Sequence, residues 1–546
     1  MLVDEKLYQA YLEELQQIEH FRAVHLELYK DTPLEVDDPN VKRMIEAIAF
    51  FGARARLQGI KKMTDIHQTL FRQHFPYLLN SLPTIAMLQL RPSLKHPGKT
   101  HLPAGSELTF ETPENPKASF QTLDTIDILP LYYKNFFFLE REDQGRSCTL
   151  EYKSSQLTTE DVGTIRFHIN HLSSFFSSLR VLFAMQRTLE RVSIYFDDNF
   201  EEKIPCEAIF GVPENRQILN HPIERIRSLL HFPQQELFFS IKAPPVEKNW
   251  QTLTICLEFN PNWPKSMMLT QDTFIPFIVP IANIKTEHAS PIICDGTKDQ
   301  YPLLNPDPSL KYKLHTVKRV FEIQPSGTKT IKPGILGKNE STYEVDYFNS
   351  NLILDIPYAF EHPRTIGVQA IWTQPWFADC INTEQKIYFS KHQHLSSNLK
   401  IFGKMYPYEN PYAEKDPNFL VRIFALKHQN TFNLNELLML MNAGKDLDNS
   451  LFEMVPGLIN ELNIHHKSTE VTTGALVEYE FKLKDWGGQK WEVVVLFFLY
   501  LHRFLNAWLS HFEIETKVIF PRAKKPLRIK GGVYELSVLA RDFFLS

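Results

Sequence analysis

The chain has 546 residues and a formal charge of −5 at pH 7, from 59 Lys and Arg against 64 Asp and Glu. This balance argues against a strongly basic nucleic-acid-binding protein. Hydrophobic residues make up 43% and charged residues 23%, close to ordinary globular proteins, which excludes global disorder. The 41 Phe, 20 Tyr and 7 Trp residues are an aromatic excess that favours large cores and protein–protein interfaces.

The N-terminal region has helical periodicity. A first amphipathic helix is predicted from apolar residues at spacings of three, four and three, namely Tyr8, Tyr11, Leu15 and Ile18. In DDPN, Asp38 is the expected N-cap and Pro39 the expected first residue of a second helix. The stripe of this second helix consists of Val41, Met44, Ile45, Ile48, Phe51 and Ala55. A third helix is expected from about Thr64 to Pro76, and the three helices would make a hairpin or a small bundle.

Strand patterns dominate after residue 82. Alternating apolar and polar residues predict half-buried strands at 165–169, 192–196 and 251–259. The segment Phe274–Ile281 is apolar but contains two prolines, so we expect an edge strand or a bulge there. Residues 285–345 are polar and rich in turn residues, and strands are expected to resume at 352–356 and 386–389.

The last 150 or so residues mix helical and strand patterns. A short helix is predicted at Leu434–Met441, a strand at Val477–Leu483 and a mostly buried helix at Trp491–Leu509. The predicted fold class is therefore α+β and multi-domain. We predict a helical segment at 1–85, β-rich domains at 86–245 and 246–390, and an α+β domain at 391–546.

No membrane-spanning segment is predicted. The longest apolar run, Val493–Leu501, has nine residues, well short of the ~20 that a spanning helix needs. The five cysteines include no CxxC pair, and we expect reduced thiols, several of them in the core. Both observations favour a cytoplasmic protein.

The sequence contains no assembled catalytic motif. GxxxxGK[ST], GxGxxG, HExxH and GxSxG are all missing. The best metal candidates are His392 with His394 and the pair His465-His466, but neither pair has an evident third ligand. We interpret these histidines as solvated loop residues. The sequence thus predicts no catalytic residue, no metal and no cofactor.

Several segments occur in an order that resembles one known family. They are YQAYLEEL at 8–15, DDPNVKRMIEAIAFFGARARLQ at 37–58, HFPYLLNSLPTIAMLQL at 74–90, LPAGSEL at 102–108, HFPQQELFFSI at 231–241, DTFIPFIVPIANI at 272–284 and VVLFFLYLHRFLNAWLSHFEIETKVI at 494–519. The family is TssF, also called VasA or ImpG, of bacterial type VI secretion systems. Residues 290–430 match its pattern poorly, so the chain resembles a divergent member.

The resemblance implies a structural role and no enzymatic activity. Such a protein would be a subunit of the baseplate wedge, in which two copies join one TssG and recruit TssK around the VgrG spike. A TssE-like protein is a further candidate partner. The wedge would seed tail assembly, trigger sheath contraction and dock from the cytoplasm on the inner-membrane complex. No nucleic acid is implied as a partner.

Two other interpretations remain open on the sequence alone. A wedge protein of a phage or phage-like contractile particle would share the β-rich assembly logic. A soluble enzyme with an unrecognised site belongs to a different class. The genes next to this one would distinguish the three, since secretion, capsid and metabolic genes would each favour one interpretation.

The two N-terminal apolar stripes form the candidate interaction surface. Its residues are Tyr8, Tyr11, Leu15, Ile18, Val41, Ile45 and Ile48. The simplest interpretation is that the two stripes pack on each other. A unit of about 75 residues has a marginal core, however, and the spacing of the first stripe suits bundling with helices of another chain. We therefore hypothesise a bundle shared with a second copy and TssG.

Overall fold

The structure is a computed structural model, and its described residues fall into two compact units. One unit is Met1–Phe75 with Asp416–Phe424, and the other is Pro76–Lys415 with Ala425–Ser546. The described residues are 5–25, 39–92, 98–112, 116–159, 161–197, 199, 201–211, 221–245, 249–334, 340–347, 349–357, 359–391, 399–411, 417–448, 450–468, 475–521, 523, 525–531 and 533–534.

Along the described residues, helices come first, strands dominate the middle, and the C-terminal part mixes both. The α-helices are α1 (Glu5–His25), α2 (Pro39–His74), α3 (Pro76–Leu79), α4 (Phe175–Thr188), α5 (Pro222–His231), α6 (Pro417–Leu426), α7 (Leu434–Gly444), α8 (Met454–Leu458) and α9 (Trp491–Trp508). The first strands are β1 (Ile85–Leu90), β2 (Thr100–Leu102), β3 (Glu107–Glu111), β4 (Ala118–Thr122), β5 (Ile126–Ile128), β6 (Leu131–Glu140), β7 (Arg146–Thr158), β8 (Thr164–Ile169), β9 (Leu189–Phe196), β10 (Ile204–Pro205), β11 (Glu207–Phe210), β12 (Phe238–Lys242), β13 (Trp250–Phe259), β14 (Phe274–Pro276) and β15 (Ile278–Ala282). The remaining strands are β16 (Ile284–His288), β17 (Ile292–Cys294), β18 (Gln300–Pro302), β19 (Lys313–Gln324), β20 (Gly327–Pro333), β21 (Thr342–Asp346), β22 (Asn351–Asp355), β23 (Arg364–Thr373), β24 (Lys386–Phe389), β25 (Leu399–Tyr406), β26 (Ile459–Ser468), β27 (Ala475–Leu483), β28 (Glu513–Ile519), β29 (Leu527–Lys530) and β30 (Val533–Tyr534).

The first unit is built on α1 and α2, which pack against each other and are called the helical hairpin below. Pro39 is the first residue of α2, as predicted, whereas the proposed N-cap Asp38 lies outside the described residues. The expected third helix is wrong, because α2 continues to His74. No proline interrupts residues 40–75, and an isolated glycine such as Gly59 costs a helix only ~1 kcal/mol.

The second unit contains six sheets of mostly antiparallel strands among its described residues. In strand order they are β24-β3-β4-β15-β1-β25, β10-β9-β13-β7-β6, β11-β12-β8-β14, β16-β23-β19-β20-β21-β22-β18 with β17 also on β23, β2-β5, and β26-β27-β28-β29-β30. Helices and several sheets in one chain confirm the predicted α+β, multi-domain class. The first sheet takes strands from three of the four predicted ranges, and the division at 85, 245 and 390 stays a prediction.

The predicted strands are present at the predicted positions, but one of them is more deeply buried than expected. The strands predicted at 165–169, 192–196 and 251–259 are β8, β9 and β13. β13 is buried on both faces over much of its length rather than half-buried, because Thr254 and Cys256 are covered too. Its neighbours β7 and β9 flank it on either side, so β13 lies inside its sheet.

The proline-containing segment after Phe274 splits into two strands. β14 lies at the edge of its sheet, as predicted, and ends at Pro276. Phe277 then adopts a left-handed φ of 58°, which turns the chain into a second sheet. There β15 lies between β1 and β4, where an edge position was expected. Pro280 is tolerated because the pairing of β15 with β4 covers only the two following residues.

Residues 285–345 contain strands where the sequence predicted mainly turns. The twelve-residue β19 pairs along β23 and forms a hairpin with β20. Its register with β23 shifts twice, and these irregularities break the strict alternation by which a strand is recognised in a sequence. The strands of this sheet contribute to a separate hydrophobic core, which includes Val320, Leu352 and Trp372.

The C-terminal sheet is packed beneath α9. Val477, Tyr479 and Phe481 of β27 are buried, as are most residues of α9, which confirms the predicted strand and helix. The intervening residues of β27 are charged and form the opposite face of the sheet. In the part of the chain that is described, no helix is long and apolar enough to span a bilayer.

One buried arginine ties three segments of the second unit together. The Arg227 side chain of α5 is 3% exposed and donates to the carbonyl oxygens of Tyr77 at 2.6 Å, Asn80 at 2.7 Å and Gly444 at 3.1 Å. Burial lowers the pKa of Arg227 to about 10. Around it, the ring of Tyr77 stacks on His221 at 3.8 Å. Asn80 also donates to Glu224 at 3.1 Å, so α5 holds both α3 and the residue that follows it.

A buried histidine of α9, unlike Arg227, is held neutral by its surroundings. His502 is 1% exposed, lies 3.0 Å from the Thr516 hydroxyl through Nδ1, and accepts at Nε2 from the Asn506 amide at 2.9 Å. Burial and, secondarily, the charge of Arg503 lower its pKa to about 4. Protonation of Nε2 would remove the acceptor for Asn506 and place a charge in the core.

Substituting Arg227→Met is expected to lower the free energy of unfolding by about 3 kcal/mol or more, because three buried carbonyl groups lose their donor. The stability of Arg227→Lys should lie between those of the wild type and Arg227→Met, because one ammonium group cannot reproduce the planar array of donors of a guanidinium. Chemical denaturation of the full chain measures this. Arg528→Met is the control, since that exposed arginine faces Glu515 only at 4.0 Å. Equal losses in both Met variants would contradict the assigned role.

Acidification is expected to destabilise the second unit through His502. Its folded pKa of about 4 lies below the ~6.5 of an unfolded histidine. Between these values the unfolded chain binds a proton that the folded chain does not, so stability is lost as pH falls from 6.5 to 4. Urea midpoints at pH 7.5 and pH 5 should therefore differ less in His502→Gln than in the wild type. An unchanged difference would show that His502 is not a source of this acid sensitivity.

Candidate interaction surface

The helical hairpin is closed by small residues. Among its described residues before Phe71, the buried ones are Ala10 of α1 and Ala49 and Ala53 of α2, at 4%, 0% and 0% exposure. Gly52 lies next to the Glu14 side chain, whose Oε2 is 3.5 Å from the position that a Cβ would take. Small side chains let two helices approach closely, and the larger apolar side chains are then left at the margins of the contact. The hairpin therefore buries little of its own apolar surface.

An ion pair fixes the contact between the two helices. The Arg56 guanidinium donates to Glu14 at 3.1 Å and also to Glu13. These hydrogen bonds, that with Glu13 above all, raise the pKa of Arg56. The middle of α1 is thus held in register with the middle of α2.

The apolar stripe of α2 is divided into a covered and an exposed part. Val41 and Ile45 are half-buried in the hairpin. Met44, Ile48 and Phe51 are 65%, 56% and 66% exposed. These three residues follow a spacing of four and three, so they lie on one face of the helix, and Ala55 continues it. Met44, Ile48, Phe51 and Ala55 are called the α2 stripe below.

The predicted interaction residues lie in this hairpin with different exposures. Tyr8 is 50% and Ile48 is 56% exposed. The other five are half-buried, namely Tyr11, Leu15, Ile18, Val41 and Ile45. The rings of Tyr8 and Tyr11 are 6.4 Å apart. Most of the predicted residues therefore serve the hairpin itself in part, and their contact with another chain stays a prediction.

The sequence pattern missed the residues that make the hairpin and overlooked two that project from it. Ala49 and Ala53 are four residues apart with Gly52 beside them, a spacing of small residues that signals close helix contact. Met44 and Phe51 belong to the predicted stripe of the second helix but not to the predicted interaction residues, and both are exposed. One apolar pattern cannot show which edge of a broad stripe faces the partner helix.

The remaining candidates are the histidines, and the structure corrects their setting. His392 and His394 lie outside the described residues. His465 and His466 are in β26 rather than in a loop. His465 lies opposite Glu478, and its ring, Glu478 and Glu480 are close enough for one metal ion. Glu478 is paired with Lys467 and Glu480 with Lys517, so both carboxylates are already neutralised by ammonium groups.

The thiols are placed as predicted. Cys148, Cys256, Cys294 and Cys380 are buried and Cys206 is half-buried, all as free cysteines. Burial raises the pKa of Cys148 and of Cys206, the latter to about 11. Such thiols are poor nucleophiles at neutral pH.

Comparison with known families gives one match that covers more than half of the chain. The sequence model of the family described as "Type VI secretion system, TssF" matches residues 3–347. The matched part contains the helical hairpin and most of the strands of the second unit. No curated protein sequence matches the chain.

Two solved structures are similar along almost the whole chain. One is the type VI secretion system TssK-TssF-TssG baseplate subcomplex determined by cryo-electron microscopy, with a TM-score of 0.70 and 16% identity over 90% of this chain and 98% of the other. The second is the baseplate complex from the type VI secretion system, with a TM-score of 0.56 and 16% identity over 94% and 96% of the two chains. At this identity, the two similarities establish the fold.

Enlarging the seam of the hairpin is expected to weaken it. Ala53→Leu adds volume at a fully buried position and should cost about 1–3 kcal/mol. Ala55→Leu is the matched control, because Ala55 lies two residues away on the exposed α2 stripe. Hydrogen exchange of the α1 and α2 amides in the full chain measures both. Equal protection in the two variants would mean that the small-residue seam does not set the contact.

Proposed function

The chain belongs to the TssF family of the type VI secretion system, and on this premise we propose that it is a structural subunit of the baseplate wedge rather than an enzyme. The match over residues 3–347 is the observation that carries the proposal. The likeness of its fold to chains of baseplate complexes supports it. In this role the protein contributes shape, rigidity and contact surfaces, and rearrangement of the wedge triggers sheath contraction.

The proposed partners follow from the named components of the similar complexes. They are TssG and TssK, whose names appear with TssF in the cryo-electron microscopy subcomplex. We extend the proposal to a second copy of this chain, to the VgrG spike around which the wedges assemble, and to a TssE-like protein. The assembled ring docks on a membrane complex from the cytoplasm and seeds the tail.

The α2 stripe supports a helical contact with another chain. A helix that projects Met44, Ile48 and Phe51 at more than half exposure presents apolar side chains on one face over about two turns. Such a face is a groove-binding or bundling surface in helix recognition, where anchors recur at i, i+4 and i+7. The polar side of the same helix carries Lys42, Arg43 and Arg54. We therefore propose that the hairpin joins a bundle with helices of TssG and of the second copy.

The predicted interaction residues enter this bundle in two ways. Tyr8 and Ile48 are exposed enough to contact the partner directly. The other five residues are half-buried and pack within the hairpin, where they support the exposed ones. They are Tyr11, Leu15, Ile18, Val41 and Ile45. Leu15→Asp would therefore disturb the hairpin as well as the shared contact, so an exposed position gives the sharper test.

Ile48→Asp is expected to weaken binding of the TssG partner by roughly a hundredfold or more, because a buried contact is replaced by an unpaired carboxylate. The full chain and its variant are compared by co-purification and by titration with the partner. Ile66→Asp is the matched control, since Ile66 has the same 56% exposure on the same helix but lies 18 residues further along. Both variants carry the same helix-propensity cost.

The control separates the α2 stripe from general effects on α2. Circular dichroism of both variants should match the wild type, since each changed side chain is exposed. Binding that is unchanged in Ile48→Asp, or equally reduced in both variants, would contradict the proposed position of the contact. A chain without residues 1–75 that still binds TssG at wild-type strength would remove the hairpin from the interface altogether.

A further inference from the structure

The edge strand β6 has a composition that ordinary edge strands avoid. It is ten residues long and, among the described strands, pairs only with β7. Its segment Asn135–Leu139 reads NFFFL and carries no charge. Phe137 and Leu139 are 44% and 59% exposed, and Phe136 and Phe138 are half-buried. The segment Asn135–Leu139 is called the β6 edge below.

No described strand pairs with the backbone groups on the free side of β6. Alternate backbone N–H and C=O groups of an edge strand point away from the sheet, and only another extended strand can pair with a row of them. Natural edges are protected by lysines, prolines or bulges. The one bulge of β6 and its one lysine are both at Lys134, just before the β6 edge. No charged residue, proline or bulge follows until Glu140.

The two charges that bracket the β6 edge are already paired within the chain. Lys134 lies 3.5 Å from Glu151, and Glu140 lies 3.1 Å from Arg146. Asn135 also donates to Glu151 at 2.7 Å. On the inner side, the ring of Phe138 packs edge-on against Trp263 at 6.0 Å. The strand is therefore fixed in its own sheet, and its exposed side is preformed.

We propose that a second copy of this chain pairs with the β6 edge, antiparallel and centred on Phe137, so that two sheets become one continuous sheet. This extends the proposed function, in which a second copy belongs to the wedge, by naming the strand that the two copies share. Phe137 faces Phe137 of the second copy, and Phe136 faces Phe138. Asn135 and Leu139 face each other at both ends of the uncharged segment.

The register follows from the distribution of charge. Lys134 and Glu140 lie three residues on either side of Phe137. In an antiparallel pairing centred on Phe137, the lysine of one copy therefore comes opposite the glutamate of the other, and like charges are kept apart. A two-fold axis through this point uses the same surface on both copies and closes the assembly at a dimer.

A second copy also fits the unusual chemistry of this edge. A partner strand that is apolar on both faces would cover Phe136 and Phe138 on one face and Phe137 and Leu139 on the other. A second β6 strand is apolar on both faces over Phe136–Leu139. Aromatic side chains opposite one another on neighbouring strands are favourable cross-strand pairs, and the central Phe137 pair would be one of them.

The experiment uses opposite charges at the centre of the proposed pairing. In Phe137→Lys two lysines would face each other, and in Phe137→Glu two glutamates would. Each variant alone should be monomeric, with a self-association Kd raised at least about tenfold, whereas an equimolar mixture should recover the dimer because lysine then faces glutamate. Sedimentation of the full chain at concentrations up to tens of micromolar measures this for the wild type, each variant and the mixture.

Phe360→Lys is the matched control. Phe360 is 79% exposed in a turn of another part of the second unit, so the same substitution there should leave self-association unchanged. Circular dichroism checks that every variant is folded. Hydrogen exchange of residues 135–139 gives an independent measure, with protection that rises with the concentration of the wild type and does not rise for Phe137→Lys.

The outcomes are distinct. Dimers of the wild type, monomers of each charged variant and recovery in the mixture would support the β6 pairing. A wild type that is monomeric at tens of micromolar, or a mixture that does not recover, would overturn it. Amides of the β6 edge that become protected only when TssG or TssK is added would assign the edge to a strand of that partner instead. Because these measurements use the isolated chain, failure here leaves the TssG-binding test of the hairpin unaffected.

Discussion

The second unit depends on a buried guanidinium. Arg227 replaces the water it loses by three backbone carbonyls from two distant parts of the chain, Tyr77 and Asn80 on one side and Gly444 on the other. A buried charge is tolerated only when its hydrogen-bonding groups are occupied, so this arginine fixes where the short α3 and the end of α7 lie against α5. The stacked Tyr77 and His221 rings and the Asn80–Glu224 bond surround the same point.

A second set of buried polar groups joins the sheets. Asn283 and Gln374 are both 0% exposed, and Asn283 accepts from the backbone N–H of Gln374 at 2.8 Å. Their side chains also bond the backbone of Ser119 on β4, where Asn283 donates to the carbonyl at 2.9 Å and Gln374 accepts from the N–H at 2.8 Å. Amides satisfied in this way specify one arrangement of strands, since any other would leave them unpaired.

The many aromatic residues of this protein are found both in its cores and on its surface. Most of the largest buried side chains are aromatic and fill the cores of the sheets, as with Trp250, Trp372 and Phe120. Others remain exposed, among them Phe51 on the α2 stripe and Phe137 on the β6 edge. A helical face and a strand edge recognise different partners, because one buries side chains and the other pairs backbone groups. The proposed wedge subunit would use both kinds of surface.

The sequence alone determined the local elements with strong periodicity. The start of α2 at Pro39, the strands β8, β9, β13 and β27, and the buried α9 follow from residue spacing, because side-chain period and local backbone preference are written within a few residues. The order of short motifs also indicated the TssF family, which the match over 3–347 confirms.

The tertiary structure decided the rest. β19 was hidden by its register shifts, β15 lies inside a sheet despite Pro280, and the α2 stripe turned outwards because alanines rather than Ile48 close the hairpin. The Arg227 contacts join residues about 150 and 217 positions apart, and the β6 edge is an edge only because no other described strand pairs there. Periodicity shows that a helix or strand has an apolar face to bury. Which segment covers that face depends on parts of the chain that are far away in sequence, and local spacing does not encode them.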